Sequence, residues 1–154
     1  MKARINHVSI GATDLNESAA FYITLFGAEE IDTPNFGFPV RWLRLGDLQI
    51  HLFELHAPAQ SRHHFAVEVG NFEQVFRDTR EAGRHDRSTM GWHLNQLPSG
   101  QIQLYVRDPG GNLVEVNSAS ADRLSEETRS ELKRLEDRHP QDESNSKARL
   151  YLEW

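Results

Sequence analysis

The sequence predicts an α+β fold of two βαβββ modules that form an open, curved mixed sheet around a cavity, followed by a C-terminal helical tail. Three observations predict it. A strand–helix layout recurs between residues 4 and 117, the runs after each helix alternate with a period of two, and the composition turns polar from about Ser118. The modules cover residues of about 4–55 and 62–117, so 1–117 is the paired domain and 118–154 the tail.

The first strand is INHVSIGA, in which Asn6, Val8 and Ile10 point one way and His7, Ser9 and Gly11 the other. Asp14 is the expected helix cap, with Glu17 at capping-box spacing. Leu15, Ala19, Tyr22, Leu25 and Phe26 form the apolar stripe, and Gly27 the stop. VRWLRL, a Gly46-Asp47 turn and LQIHLFEL then read as a hairpin.

The second module repeats this order. HHFAVEV is its first strand, Asn71 and Gln74 the expected cap, Phe72, Val75, Phe76 and Ala82 the stripe, and Gly83 the stop. Each cap lies seven residues after the strand histidine, and the glycines lie 20 and 19 residues after His7 and His64. GWHLNQL, QIQLYVR and NLVEVN complete the module, the last two joined by Asp108-Pro109-Gly110-Gly111. In the tail, Ser125 caps a helix expected to run to about Arg138. QDESNSK is a polar linker, and ARLYLEW alternates as a strand or clamp would, for packing or dimer contact.

Strand parity sorts the side chains by face. The apolar set on each strand must face the helices, which leaves His7, His51, His64 and Glu115 on the opposite, concave side. The repeat sets His7 against His64 and His51 against Glu115. Three imidazoles and a carboxylate suit one divalent transition metal per site, with Fe, Mn, Ni and Zn all open. If all four bind an octahedral ion, two positions remain for a bidentate substrate. If His51 stays off, there is also room for O₂. His63 has the opposite parity, and His56, His85 and His139 fall in loop or tail.

Composition narrows the function. Lys+Arg 17 against Asp+Glu 23 gives a net charge of −6, which argues against nucleic acid or an anionic membrane as partner. There is no cysteine, hence no disulfide, thiol nucleophile or cysteine–zinc site. No apolar run suits a membrane helix or signal peptide, so a cytoplasmic location is expected.

The paired modules with INHVSI, HHFAVEV and QLYVRDPGGNLVEVN resemble the vicinal oxygen chelate superfamily of glyoxalases, extradiol dioxygenases, epimerases, fosfomycin-resistance thiol transferases and bleomycin-binding proteins. The resemblance implies a metal on His7, His64 and Glu115 and a small substrate chelated through two oxygens. His51 departs from the glutamate of glyoxalase I. Tyr105 stands where extradiol dioxygenases carry a functional tyrosine, and His93 is a candidate for their upstream histidine, though 12 residues before it. Glu115, Tyr105 and His93 are thus the expected catalytic residues. Arg107 is left to hold a substrate anion or pair with Asp108. Phe36, Phe38, Trp42 and Trp92 are left to line a pocket or pack the core. The implied function is a metal-dependent lyase or isomerase, or an Fe(II) dioxygenase, acting as a homodimer. The alternatives are a non-enzymatic binding protein of bleomycin-resistance type and a fosfomycin-type thiol transferase.

Overall fold

In the computed structural model, residues 2–57, 59 and 61–138 are described. The expected ARLYLEW strand and the QDESNSK linker lie outside them. The elements run β1 (His7–Ala12), α1 (Leu15–Phe26), β2 (Glu29–Ile31), β3 (Val40–Leu45), β4 (Leu48–Glu54), β5 (His64–Glu68), α2 (Phe72–Glu81), β6 (Leu94–Gln96), β7 (Ile102–Arg107), β8 (Leu113–Ser118) and α3 (Glu126–Arg138). Two four-stranded sheets result, in the orders β1-β4-β3-β2 and β5-β8-β7-β6. The second is the first renumbered, which is the duplication read from the sequence. In the first sheet β1 is parallel to β4, and β3 is antiparallel to both β4 and β2.

Contacts divide the chain into two compact units. One holds the residues up to Phe65 together with Val106–Val114, and the other holds Ala66–Tyr105 together with the residues from Glu115 on. In the first unit, Asp14 caps α1 as its spacing predicts, accepting from the Glu17 amide at 3.0 Å. Gly27 ends the helix at φ 71°, where only glycine is unstrained. Ala19 and Tyr22 are fully buried with Leu43, Ile50 and Leu52, so the period-two parity of β4 holds. The turn after β7 belongs to this same unit. Asp108 accepts from the Tyr22 hydroxyl at 2.7 Å, and Asn112 Nδ2 donates to the Gly11 carbonyl at 2.8 Å. Gly110 is required there, because a Cβ would meet the Gly11 oxygen at 2.8 Å.

In the second unit, Phe72, Val75 and Phe76 of α2 are buried. Two expectations fail. Asn71 makes no side-chain capping bond, and Gln74 reaches forward to Asp78 at 2.8 Å. Ala82 is exposed, and Thr79 takes its place in the buried stripe by turning its hydroxyl to the Val75 carbonyl at 2.6 Å. The α3 start is as expected: Ser125 Oγ accepts from the Thr128 amide at 3.1 Å. Glu73 of α2 accepts from the Ser125 amide and the Thr128 hydroxyl, tying α3 down. No helix among the described residues is long and apolar enough to cross a membrane.

Candidate metal and substrate site

Three of the four predicted ligands, His7, His51 and His64, lie in the first unit, and Glu115 lies in the second. His7 starts β1 and His51 is central in β4. The parallel register pairs Ser9 with His51, so both imidazoles project from the same face of neighbouring strands. Their rings stack at 4.2 Å and 18°. Trp42 of β3, the register partner of His51, covers its other face at 3.9 Å and 2°. This gives Trp42 a role beside the site, whereas Phe36 and Phe38 are exposed and neither is core. Burial first, and then the neighbouring His7, hold the His51 pKa below the ordinary imidazole value. A neutral ring, which can bind a metal, is therefore favoured.

The hydrogen bonds decide which nitrogen of each ring keeps its lone pair. His7 Nδ1 donates to Asn6 Oδ1 at 2.5 Å, leaving the lone pair on Nε2. His51 Nε2 donates to Gln49 Oε1 at 2.8 Å, leaving it on Nδ1. His64 Nδ1 donates to the Arg62 carbonyl at 2.8 Å, leaving it on Nε2. Donating one ring N–H to an oxygen while the other nitrogen stays basic is the arrangement of metal-bound histidines. His64 also lines a groove of about 290 Å³ in this unit with Ser9, His63, Phe65 and Asn112. The donors fit a divalent transition metal in kind. No group of three or more His, Cys, Asp or Glu side chains able to hold a metal is assembled among the described residues.

Glu115 sits on β8, buried between Val114 and Val116. Its Oε1 accepts from Gln103 Nε2 at 3.2 Å, and Gln103 Oε1 accepts from Asn95 Nδ2 at 3.2 Å. Three adjacent strands thus hold one carboxylate in a fixed orientation. The bond between Gln103 and Glu115 has no local signal in the sequence.

Comparison with known proteins settles the family. Residues 4–116 match the model of the Glyoxalase/Bleomycin resistance protein/Dioxygenase superfamily. The chain belongs to this superfamily. Mitochondrial methylmalonyl-CoA epimerase of Homo sapiens is 30% identical over 134 residues, spanning 75% of this chain and 74% of the epimerase. A glyoxalase family protein from Bacillus anthracis superposes with a TM-score of 0.58 at 27% identity, over 77% of this chain and 96% of its own. The fosfomycin resistance protein FosX from Listeria monocytogenes, solved with Mn(II) and sulfate, shares the fold with a TM-score of 0.56. It is 19% identical, over 79% of this chain and 97% of its own.

Within this superfamily member, the remaining expected residues lie in various settings. Tyr105 is buried on β7, and its amide donates to the His93 carbonyl at 2.7 Å. His93 is 3% exposed and its Nε2 donates to Glu131 of α3 at 2.7 Å, so the expected catalytic histidine anchors the tail helix. Arg107 does not pair with Asp108. Its guanidinium donates to the carbonyls of Gly111 and Ser61, while Asp108 serves Tyr22 and Asn112.

His85 lies in the loop after α2, where the sequence places it. It is half-buried, with its ring tilted against Phe76 at 4.9 Å and stacked on His93 at 5.1 Å, and its Nε2 lies 3.0 Å from the Thr79 hydroxyl. Burial, and then the neighbouring His93, push its pKa down to about 4. With a folded pKa below the unfolded value, the unfolded chain binds more protons in acid. The stability His85 contributes is therefore complete above about pH 6.5 and is lost as pH falls toward about 4. Urea unfolding across that window should show the loss, and His85→Gln should flatten it. An unchanged slope in the variant would contradict the assignment.

Proposed function

We propose that this protein is a divalent-metal-dependent enzyme of isomerase or lyase type. It moves a proton next to a carbonyl of a small substrate that chelates through two oxygens. His7, His51, His64 and Glu115 would hold the metal, which when bound supplies Lewis-acid polarisation of the substrate oxygens. The observation that carries this reading is the commitment of one N–H of each of the three imidazoles to an oxygen acceptor. Their other nitrogens are thereby kept basic and oriented.

Glu115 is the group that handles the proton. Gln103 donates to its Oε1, so that oxygen is held as an acceptor and the carboxyl group is fixed in orientation. Asn95 holds the Gln103 amide in the donating orientation. Glu115 is itself only 8% exposed, which limits the access of bulk water to its carboxyl group. The likeness to an epimerase favours this chemistry over oxygen insertion, as does the use of His93 to hold α3.

The test is deuterium incorporation next to the carbonyl of methylmalonyl-CoA, and then of lactoylglutathione, in deuterium oxide. Metal content of protein purified without added metal is measured in parallel. Exchange that requires metal and is lost in Glu115→Gln is the expected result. A protein that carries no transition metal and exchanges neither substrate would instead be a binding protein of the bleomycin-resistance type.

A further inference from the structure

The second unit carries a cleft of about 580 Å³ between the loop that follows α2 and the last turns of α3. Arg87 comes from the loop, and Arg134 and Arg138 come from α3. The two helix arginines are four residues apart, hence on one face, and Leu135 and Trp92 supply apolar surface beside them. The cleft is of a size that takes a small molecule.

Three arginines outside this cleft are held in ion pairs. Arg41 is paired with Glu30, Arg44 with Glu29 and Arg80 with Glu127. Arg87, Arg134 and Arg138 form no ion pair among the described residues, although the chain as a whole is at −6. Glu131 also lines the cleft, but His93 occupies it at 2.7 Å, which leaves Asp137 as the lining carboxylate not so engaged. Attraction to the negative end of a helix accounts for arginines in the last turns of α3. It does not account for Arg87, which comes from another element to the same place.

We propose that this cleft binds a phosphate-bearing small molecule through Arg87, Arg134 and Arg138. Guanidinium groups present paired N–H donors at the spacing of phosphate oxygens, and several around one anion reinforce each other. The Trp92 ring offers a flat surface for an aromatic group attached to that phosphate. None of these residues belongs to the proposed metal site, so the cleft stands or falls independently of it.

Calorimetric titration of the full-length protein with pyrophosphate, adenosine diphosphate and adenosine tests this. Chelator is present throughout, so that phosphate held by a metal does not contribute. Both phosphates should bind and adenosine should not, with affinity falling as salt is raised. The double variant Arg87→Gln/Arg134→Gln should weaken binding by about 100-fold, and Arg138→Gln alone by about tenfold. Arg77→Gln, an exposed position on α2, should leave it unchanged, with circular dichroism reporting the fold. If the double variant fails to fold, the Arg138 variant carries the test. The proposal is overturned if neither phosphate binds up to about 10 mM, a limit already weaker than ordinary ligands. It is also overturned if adenosine binds as well as the diphosphate, or if the arginine variants bind like the parent.

Discussion

Replacing His51 by alanine is expected to weaken divalent-metal binding by about 100-fold or more, at least the cost of losing an outer-sphere partner of a metal site. His7→Ala should cost about the same. The two rings are in contact, and each has its proton fixed by its own amide acceptor, Gln49 or Asn6. Equal losses are what a set of four donors requires. Gln49→Ala should give a smaller loss, since it frees the tautomer without removing the donor. Thermal melts in chelator separate metal loss from unfolding, because His51 is also the platform for Trp42. If His51→Ala keeps its metal and shows Fe(II)-dependent oxygen uptake on a catechol, then three ligands suffice. The protein would then be of the dioxygenase type.

Asp108→Ala should destabilise the fold by about 3 kcal/mol or more, because several buried donors lose one acceptor together. The carboxylate is 2% exposed and receives the Tyr22 hydroxyl, the Asn112 amide and Asn112 Nδ2 at 2.7, 2.8 and 2.9 Å. Tyr22 is itself fully buried, and burial together with Asp108 pushes its pKa well above the ordinary phenol value. Its hydroxyl therefore stays protonated and donating at all ordinary pH. Without Asp108 that O–H has no partner, which is worse than never having had one. Tyr22→Phe should cost only about 1–2 kcal/mol, since the carboxylate keeps its Asn112 bonds. Denaturant midpoints give both values, and a smaller loss for the alanine variant than for Tyr22→Phe would contradict this account.

The repeat, the helix starting at Asp14, the hairpin at Gly46-Asp47 and the tail helix starting at Ser125 were legible because each rests on local rules: alternation, cap spacing and turn chemistry. Asn71 has the same spacing as Asp14 yet makes no capping bond, so spacing alone is not a bond. Parity placed His7 and His51 on one face, and their stacking follows from the parallel register of β1 with β4. What could not be read was set by distance along the chain. Glu131 meets His93 across 38 residues, and Tyr22 meets Asp108 across 86. No local pattern announces such a pair. The burial of His85 went unread for another reason: its partners Phe76, Thr79 and His93 are six to nine residues away, but a loop has no periodicity that would announce them.

The assignment of Val106–Val114 to the first unit has a consequence for synthesis. As the chain leaves the ribosome, everything up to Phe65 emerges first, with β1, α1 and the hairpin β3–β4 able to pair. The acceptor for the Tyr22 hydroxyl and the donor for the Gly11 carbonyl arrive only with Asp108 and Asn112. Until then the early segment is an unfinished object whose buried hydroxyl has nowhere to go. A gene fragment ending near residue 65 would express that object permanently. Cutting the repeat between its two halves would therefore leave the first half without the acceptor for Tyr22 and the donor for Gly11, even though each half has its own sheet.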